Sequence, residues 1–286
     1  VSPCLAKDRK MTANLPAFTF DTPGFLTVDW GGATRLGALM AQWTDARRLL
    51  IVTDAGLHRA GVLAPALAAL QAAGFACSIF DGTVADPPES VLLACVAQGR
   101  AFGAEAVLGF GGGSSLDVAK LAAVLLASDQ PLAGLYGIGK VRGHRLPLVQ
   151  IPTTAGTGSE VTNITILTTG ETTKMGVVAP QLYADHVLLD AALTTGLPPL
   201  QTAATGIDAM VHAIEAYTSR HRKNPLSDLF AREALRLLAH NLVAACTDGH
   251  NRAAREAMLL GACYAGMAFA NSPVGAIHSP PRAASV

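Results

Sequence analysis

Residues 109–120 read GFGGGSSLDVAK, a glycine-rich turn between a predicted strand (106–110) and a helix predicted from near Ser115. Glycine has no Cβ, so backbone N–H groups can approach an anion closely, and the helix N-terminus behind them adds partial positive charge. Ser114 and Ser115 add hydroxyl donors and a candidate N-cap. The turn therefore predicts a phosphate or pyrophosphate site. Its spacing is neither G-x-G-x-x-G nor a Walker P-loop, and a tightly packed βα turn is the alternative.

Strand and helix patterns alternate along the chain up to this turn. The predicted order is strand 49–53, helix 61–73 closed by Gly74, strand 75–80, helix 87–100 ending near Gly103, strand 106–110 and helix 115–127. This alternation predicts βαβ units on a parallel sheet. Asp54 and residues 111–115 both follow strands, and such sheets bind ligands beyond the carboxyl ends of their strands. A dinucleotide would bridge the two, with its ribose hydroxyls at Asp54 and its pyrophosphate at the turn.

The pattern of predicted elements changes in the second half of the chain. Residues 146–151, 163–169, 174–178 and 187–190 predict further strands, and PTTAGTGSEVT at 152–162 is a loop dense in hydroxyls and glycines. After Pro198 and Pro199 the periodicity is helical, over 200–219, 225–247 and 252–269. The predicted fold is α/β, with a parallel-sheet dinucleotide-binding domain at 11–195 followed by an all-helical domain at 196–286. Residues 1–10 precede Met11 and are interpreted as an upstream extension.

Composition excludes several classes of protein. Of the 286 residues, 50% are hydrophobic and 15% are charged, which is typical of a core-rich enzyme. Lys plus Arg and Asp plus Glu are 21 each, so neither a nucleic-acid nor a membrane partner is indicated, while self-association as a homo-oligomer is permitted. No apolar run reaches the roughly 18 residues that a membrane span needs. Five scattered cysteines without a C-x-x-C pair argue against a disulfide framework and favour the reducing cytoplasm.

Asp208 and His212 lie four residues apart in GIDAMVHAIEAY, on one face of a predicted helix. A converging carboxylate and imidazole are two ligands for a divalent metal. A surface ion pair is the simpler interpretation, but apolar neighbours such as Ile207 and Ile214 predict a buried helix, in which the pair needs a partner. His278, in NSPVGAIHSPP, is a candidate third ligand. Lys174 is either a cation for a cofactor ribose or phosphate, or a solvent-facing strand lysine.

Three motifs together resemble the iron-containing (group III) alcohol dehydrogenase family. They are GGGSSLDVAK at 111–120, IPTTAGTGSEVT at 151–162 and GIDAMVHAIEAYTS at 206–219. The resemblance covers roughly residues 17 to 278. It implies a dinucleotide-binding α/β domain, a helical domain and an active site between them. The implied activity is hydride transfer between a small-molecule alcohol, or its aldehyde or ketone, and NAD, with Fe²⁺ or Zn²⁺ acting on the substrate oxygen.

Carried over position by position, the resemblance implies two sets of site residues. The cofactor-binding set is Asp54, Gly111, Gly112, Gly113, Ser114, Ser115, Asp117, Thr153, Thr154, Thr157 and Lys174. The metal-binding set is Asp208, His212 and His278, which match three of the family's four ligands. The glycines and serines would hold the pyrophosphate, the threonines would line the nicotinamide end, and Lys174 would approach the ribose. A carboxylate at Asp54 repels a 2′-phosphate, so NAD is expected rather than NADP.

The sequence departs from the family pattern after His278. The family continues with a second His and then a Pro-His-Gly that gives the fourth ligand, whereas here SPPRAASV follows His278 and Arg282 stands where the second His would be. We interpret the chain as a C-terminally truncated member and expect weak metal retention and little or no turnover. The alternatives are a catalytically impaired NAD-binding fragment, a maleylacetate reductase-like carbonyl reductase, and a relative of glycerol dehydrogenase or dehydroquinate synthase.

Overall fold

A computed structural model describes residues 17–220 and 222–273, so the extension at 1–10 and the candidate ligand His278 lie outside the described residues. Within these ranges the strands are β1 (Phe25–Val28), β2 (Arg48–Asp54), β3 (Ala76–Thr83), β4 (Ala106–Gly111), β5 (Gly137–Ile138), β6 (Leu148–Pro152), β7 (Ile164–Thr169), β8 (Thr173–Val178) and β9 (His186–Leu189). The α-helices are α1 (Leu36–Trp43), α2 (Ala55–Arg59), α3 (Ala64–Ala72), α4 (Glu89–Phe102), α5 (Gly113–Leu126), α6 (Pro199–Thr218), α7 (Pro225–Thr247) and α8 (Arg252–Asn271).

Six strands form one parallel sheet in the order β1-β9-β6-β4-β2-β3. Alternate residues of β2 lie on opposite faces of this sheet. Leu50 and Val52 pack in one hydrophobic cluster with α4 and α5, whereas Leu49 and Ile51 pack in a second cluster with α1 and α3. Helices on both faces explain why β2 is buried almost throughout and its sequence is continuously apolar. The structure confirms the predicted α/β class.

The strand order places the glycine turn beside the end of β2. Leu50 pairs with Val107, so β2 and β4 run side by side and finish at the same edge of the sheet. From β2 the chain passes outward to β3 and then returns across β2 to β4. A parallel sheet has a crevice at the carboxyl ends of its strands where the direction of winding reverses. In this chain that crevice lies between Asp54 and Gly111.

A smaller sheet carries the segment that follows the hydroxyl-rich loop. Its order is β5-β8-β7, with β7 and β8 antiparallel. Thr168 of β7 forms an isolated bridge with Pro88, just before α4. This bridge ties the small sheet to the loop between β3 and α4.

Three long helices make up the C-terminal part, as the periodicity predicted. Asn224 caps α7 by accepting from Ser227 N at 2.8 Å, and Asn251 caps α8 by accepting from Ala254 N at 3.0 Å. Gly206 lets α6 approach its neighbours, because a Cβ there would lie 2.6 Å from Leu242 Cδ1 and from Met258 Cε. Across the described ranges, no helix combines the length and apolarity needed to cross a bilayer. The division into two domains remains a prediction.

The predicted element bounds differ from the structure in a few places. Helix α3 begins at Ala64 rather than at Gly61, which has a φ of +75°, and it ends before Gly74, whose φ is +84°. The edge strand β1 and the short helices α1 and α2 were not predicted. Each is brief or weakly patterned and depends on packing against distant parts of the chain.

Candidate functional site

The glycine turn is closely packed. Neighbouring side chains fill the space that a Cβ on two of its glycines would need. A Cβ on Gly111 would lie 2.8 Å from Ser115 Cβ, and a Cβ on Gly113 would lie 2.6 Å from Thr157 Cγ2. A Cβ on Gly112 would make only ordinary contacts, at 3.6 Å from Thr154. Gly112 has a φ of −75°, so its backbone conformation is open to any residue. The requirement for glycine at Gly111 and Gly113 is therefore one of space.

The N-cap of α5 is Gly112, without a side-chain cap, and the helix begins at Gly113. The expectation of a serine N-cap and of a start near Ser115 was wrong, because Ser115 already lies inside the helix and is buried. The first helical hydrogen bond runs from Leu116 N to Gly112 O at 3.1 Å. The amides of Gly113, Ser114 and Ser115 precede it and carry the positive end of the helix dipole. This end of α5 has the chemistry of an anion site.

Asp54 lies against the turn. Its carboxylate caps α2 by accepting from Leu57 N at 2.9 Å. The other carboxylate oxygen lies 3.9 Å from the place that a Cβ on Gly111 would take. The structure therefore brings Asp54 to the glycine turn, as the parallel sheet predicted. The role of Asp54 toward a ribose stays a prediction.

The hydroxyl-rich loop packs directly on the glycine turn. Thr153 N donates to Gly111 O at 3.0 Å, Thr154 faces Gly112, and Thr157 faces Gly113. Thr157 Oγ1 also accepts from Ser159 N at 3.2 Å. Thr153 is buried, whereas Thr157 is exposed. The three predicted threonines thus lie in one row along the turn, and their contact with a nicotinamide stays a prediction.

Asp117 is held by protein groups on several sides. Its carboxylate accepts from Ser159 Oγ and, at 3.1 Å, from Ile166 N. Lys120 Nζ lies 3.5 Å from the same carboxylate and donates to Ser159 Oγ at 2.8 Å. Asp117 therefore joins α5 to the turn at Ser159–Val161 and to β7. A direct role in cofactor binding stays a prediction.

Glu160 is a second buried carboxyl group near Lys120. Burial raises the pKa of Glu160 to about 7, while a backbone hydrogen bond and the charge of Lys120 act in the opposite direction. Burial also lowers the pKa of the Lys120 ammonium, and the charges of Asp117 and Glu160 oppose that shift. Its burial is consistent with a structural role for Glu160.

Lys174 projects from β8 at the rim of the site. Its Nζ lies 2.7 Å from Asp86 Oδ1, and both side chains are more than half exposed. Asp86 has a φ of +49°, and its carbonyl accepts from Thr168 Oγ1 at 2.9 Å. Lys174 is thus a solvent-facing strand lysine with a carboxylate partner. Its proposed contact with a ribose stays a prediction.

Asp208 and His212 converge on one face of α6. His212 Nδ1 lies 3.9 Å from Asp208 Oδ2, and the imidazole packs at a tilt against Phe269, with ring centroids 5.1 Å apart. The His212 side chain is 15% exposed and that of Asp208 is 41% exposed. The expectation that α6 is buried on most sides was wrong, because Ile207 and Ile214 are about half exposed. The pair nevertheless presents a carboxylate and an imidazole to one place.

One cleft of about 380 Å³ contains both halves of the site. Its lining residues are Asp86, Pro87, Gly113, Ser114, Asp117, Thr157, Ser159, Thr162, Ile164, Ile166, Thr168, Lys174, Asp208, His212 and Phe269. The N-terminal end of α5 and the Asp208–His212 pair therefore face a shared space. This proximity is tertiary, since about 95 residues separate the two in sequence.

Several lining residues were not singled out from the sequence. Ser159 and Thr162 belong to the hydroxyl-rich loop, and their motif was a usable signal. Asp86, Ile166 and Phe269 carried no recognisable signal, because only the fold brings them to the cleft.

No group of three or more His, Cys, Asp or Glu side chains suited to a metal occurs within residues 17–220 and 222–273. Asp208 and His212 supply two donors there, and the third candidate, His278, lies outside the described part of the chain. Cys77, Cys95, Cys246 and Cys263 are free thiols. Burial raises the pKa of Cys95 to about 12, so this thiol is not an anionic ligand at neutral pH.

Comparisons with known proteins agree with this architecture. Residues 23–191 match the family described as iron-containing alcohol dehydrogenase, and residues 202–281 match the C-terminal part of the Fe-containing alcohol dehydrogenase family. The chain is 42% identical over 250 residues to a sulfoacetaldehyde reductase of Bilophila wadsworthia, covering 85% of this chain and 64% of that protein. It is 39% identical over 262 residues to the probable alcohol dehydrogenase EutG of Escherichia coli, covering 91% of this chain and 66% of that protein.

Solved structures give the same result. A 1,3-propanediol oxidoreductase superposes with a TM-score of 0.87 at 33% identity, covering 91% of this chain and 68% of that one. A sulfoacetaldehyde reductase from Bifidobacterium kashiwanohense in complex with NAD⁺ superposes with a TM-score of 0.84 at 30% identity, covering 90% and 68%. Of the two curated relatives named above, the chain spans less than two thirds: 64% of the Bilophila wadsworthia protein and 66% of the Escherichia coli protein.

Proposed function

We propose, since this chain belongs to the iron-containing alcohol dehydrogenase family, that the protein is a metal-dependent oxidoreductase that transfers a hydride between an alcohol, or its aldehyde or ketone, and NAD. The observation that carries the proposal is the shared cleft. Gly113 and Ser114 line it at the anion-binding end of α5, and Asp208 and His212 line it from α6. A cofactor phosphate and a substrate-activating ion would therefore be held in one space of about 380 Å³.

The chain's own residues fit NAD at the turn. The amides of Gly113, Ser114 and Ser115 at the start of α5 would hold a pyrophosphate, and Gly113 and Ser114 line the cleft. Asp54, which lies beside Gly111, would accept hydrogen bonds from the adenosine ribose and disfavour a 2′-phosphate. These features support NAD as the cofactor.

The donor chemistry at α6 fits a divalent metal. The Asp208 carboxylate and the His212 imidazole would hold the ion, with His278 as a third proposed ligand, and the family name favours Fe²⁺ over Zn²⁺. When bound, such an ion supplies Lewis acidity, which lowers the pKa of an alcohol and polarises a carbonyl. The Phe269 ring packs against His212 and restricts how the imidazole can turn. Phe269 would thereby help to hold the His212 imidazole in place for the ion.

The names of the similar proteins support a small-molecule alcohol or aldehyde as the substrate class. A cytoplasmic location, supported by the free cysteines, is part of the proposal. So are self-association and the lack of a nucleic-acid partner, which the balanced charge supports.

The test is a calorimetric titration of the chain with NAD, with and without Fe²⁺ or Zn²⁺, followed by an NADH absorbance assay on short alcohols. We expect NAD to bind, and turnover to be low and to depend on added metal. His212→Ala should keep NAD binding while losing the response to metal. No measurable affinity for NAD would overturn the proposal. NAD binding without turnover at any metal concentration would instead support the alternative of an impaired nucleotide-binding fragment.

A further inference from the structure

Lys120 is a fully buried cation to which the proposed chemistry gives no role. It lies on α5 two turns beyond Gly113, on the helix face that also carries Asp117. Its Nζ donates to Ser159 Oγ at 2.8 Å, to Thr162 Oγ1 at 3.1 Å and to the Ile164 carbonyl at 2.8 Å, and it lies 3.5 Å from Asp117 Oδ1. One ammonium group therefore joins α5 to the turn at Ser159–Val161 and to the start of β7.

The partners of Lys120 form one wall of the cleft. Asp117, Ser159, Thr162 and Ile164 all line the cleft, whereas the Lys120 side chain is buried behind them. Ser159 Oγ also donates to Asp117, so the wall is internally cross-linked. Without the ammonium, this wall would keep its hydroxyl groups but lose the donor that orients them.

This wall would face only one end of a dinucleotide bound at the glycine turn. The same cleft is lined by Gly113 and Ser114, by the Asp208–His212 pair and by the wall residues. Asp54, proposed for the adenosine ribose, belongs to the end of β2 and is not among the residues that line this cleft. The wall therefore lies on the nicotinamide side of the phosphate site.

We propose that Lys120 is a positioning residue, whose ammonium holds Asp117, Ser159 and Thr162 in the wall that receives the nicotinamide end of NAD. This inference rests on the proposed function, because it requires NAD to bind at the glycine turn. Burial of a charged amine is costly and a well-packed apolar side chain stabilises a fold at least as well, so stability alone is a weak reason for a lysine here. A role in arranging the cleft gives the charge a function.

The experiment compares NAD with ADP-ribose, which has the same adenosine and phosphates but no nicotinamide. Both ligands are titrated by calorimetry into the wild-type chain, Lys120→Met, and Lys140→Met, a control at an exposed lysine. We expect Lys120→Met to raise the Kd for NAD about tenfold and to leave the Kd for ADP-ribose within about twofold. We expect Lys140→Met to change neither.

Further variants separate positioning from stability. Lys120→Met leaves the Glu160 carboxyl buried without its cation, so Lys120→Met/Glu160→Gln should recover the melting temperature while NAD binding stays weak. Thr162→Val keeps the shape of the wall and removes one acceptor of Lys120. It should raise the Kd for NAD about threefold and spare ADP-ribose, which keeps the inference testable if the Lys120 variants do not fold.

Three results would overturn the inference: equal loss of both ligands, no loss of either, or recovery of NAD binding together with the melting temperature in the double variant. A wild-type chain that binds ADP-ribose as tightly as NAD has no nicotinamide subsite, which would also overturn it while leaving nucleotide binding intact. A wild-type chain that binds neither ligand would fail the proposed function itself, and the inference with it.

Discussion

The glycine turn and the Asp208–His212 pair face the same cleft but are built in different ways. The turn is one contiguous segment, and its glycines are packed against Ser115 and Thr157. The pair lies on a helix with an exposed face, and its Asp208 is 41% exposed. The described residues supply the whole proposed phosphate site but only two of the proposed metal ligands. An anion site made of backbone amides is local, whereas a metal site collects side chains from distant parts of a chain.

The hydroxyl-rich loop, which packs on the glycine turn, also approaches the helical part closely at two of its glycines. A Cβ on Gly158 would lie 2.6 Å from Gly266 Cα of α8, and a Cβ on Gly156 would lie 2.7 Å from Thr205 Cβ of α6. The hydroxyl-rich loop is thus pressed between the glycine turn and the helical part. Its dimensions set the separation between the proposed cofactor and metal sites.

The largest effect is expected from Gly158→Ala, which acts on this junction. Gly158 has a φ of +61°, so alanine would be strained there, and its Cβ would also meet backbone atoms that cannot rotate away. We expect the free energy of unfolding to fall by about 3 to 5 kcal/mol, measured by urea denaturation. Gly61→Ala is the matched control, since Gly61 has a φ of +75° and open space around it, and should cost only about 1 kcal/mol. Equal losses of unfolding free energy in the two variants would show that the close contact with α8 adds nothing to the cost of Gly158→Ala.

A smaller effect, confined to the nucleotide region, is expected from Gly113→Ala. The new Cβ would displace Thr157, whose exposed side chain can move, so we expect a loss of about 1 kcal/mol in stability and about tenfold in NAD affinity. Gly112→Ala is the control for stability, because its Cβ would meet Thr154 at 3.6 Å, and it should change unfolding by less than about 0.5 kcal/mol. Denaturation and calorimetry measure the two effects, and a greater instability of Gly112→Ala would contradict the packing described.

A change of stability with pH, rather than a loss at one pH, is expected at the buried Glu160. Its pKa is raised from 4.5 to about 7 by burial, so the folded chain keeps a proton that the unfolded chain releases between these values. The stabilisation from the neutral carboxyl is complete below about pH 4.5 and is lost as pH rises to 7. We expect the unfolding free energy of the wild type, relative to Glu160→Gln, to fall between pH 5 and pH 8. Parallel pH profiles for the two proteins would refute this ionisation behaviour.

Contiguous features were predictable from the sequence. The run from β4 into α5 was visible because apolar periodicity and glycines are local signals, and a parallel sheet then placed Asp54 beside Gly111. The i, i+4 spacing likewise placed Asp208 and His212 on one face of α6. Each of these predictions follows from the geometry of a single helix or of neighbouring parallel strands.

Features that depend on packing between distant segments were not predictable. Lys120 meets Ser159 and Thr162 about 40 residues further along the chain, and Lys174 meets Asp86 nearly 90 residues earlier. Composition alone also gave the wrong prediction of burial for α6, because apolar residues such as Ile207 occur on its exposed face as well as on its buried face. Pairwise side-chain contacts of this kind leave no periodic trace in a sequence.

The pairing of β1 with β9 has a consequence for how the chain folds during synthesis. Phe25 lies opposite His186, so the edge of the central sheet closes only after the 160 intervening residues have been made. Contacts of such high sequence separation slow folding, and β1 must wait on the ribosome while the strands between them assemble. Until β9 is made, β1 has no strand to pair with, and unpaired strands of this kind are prone to aggregate.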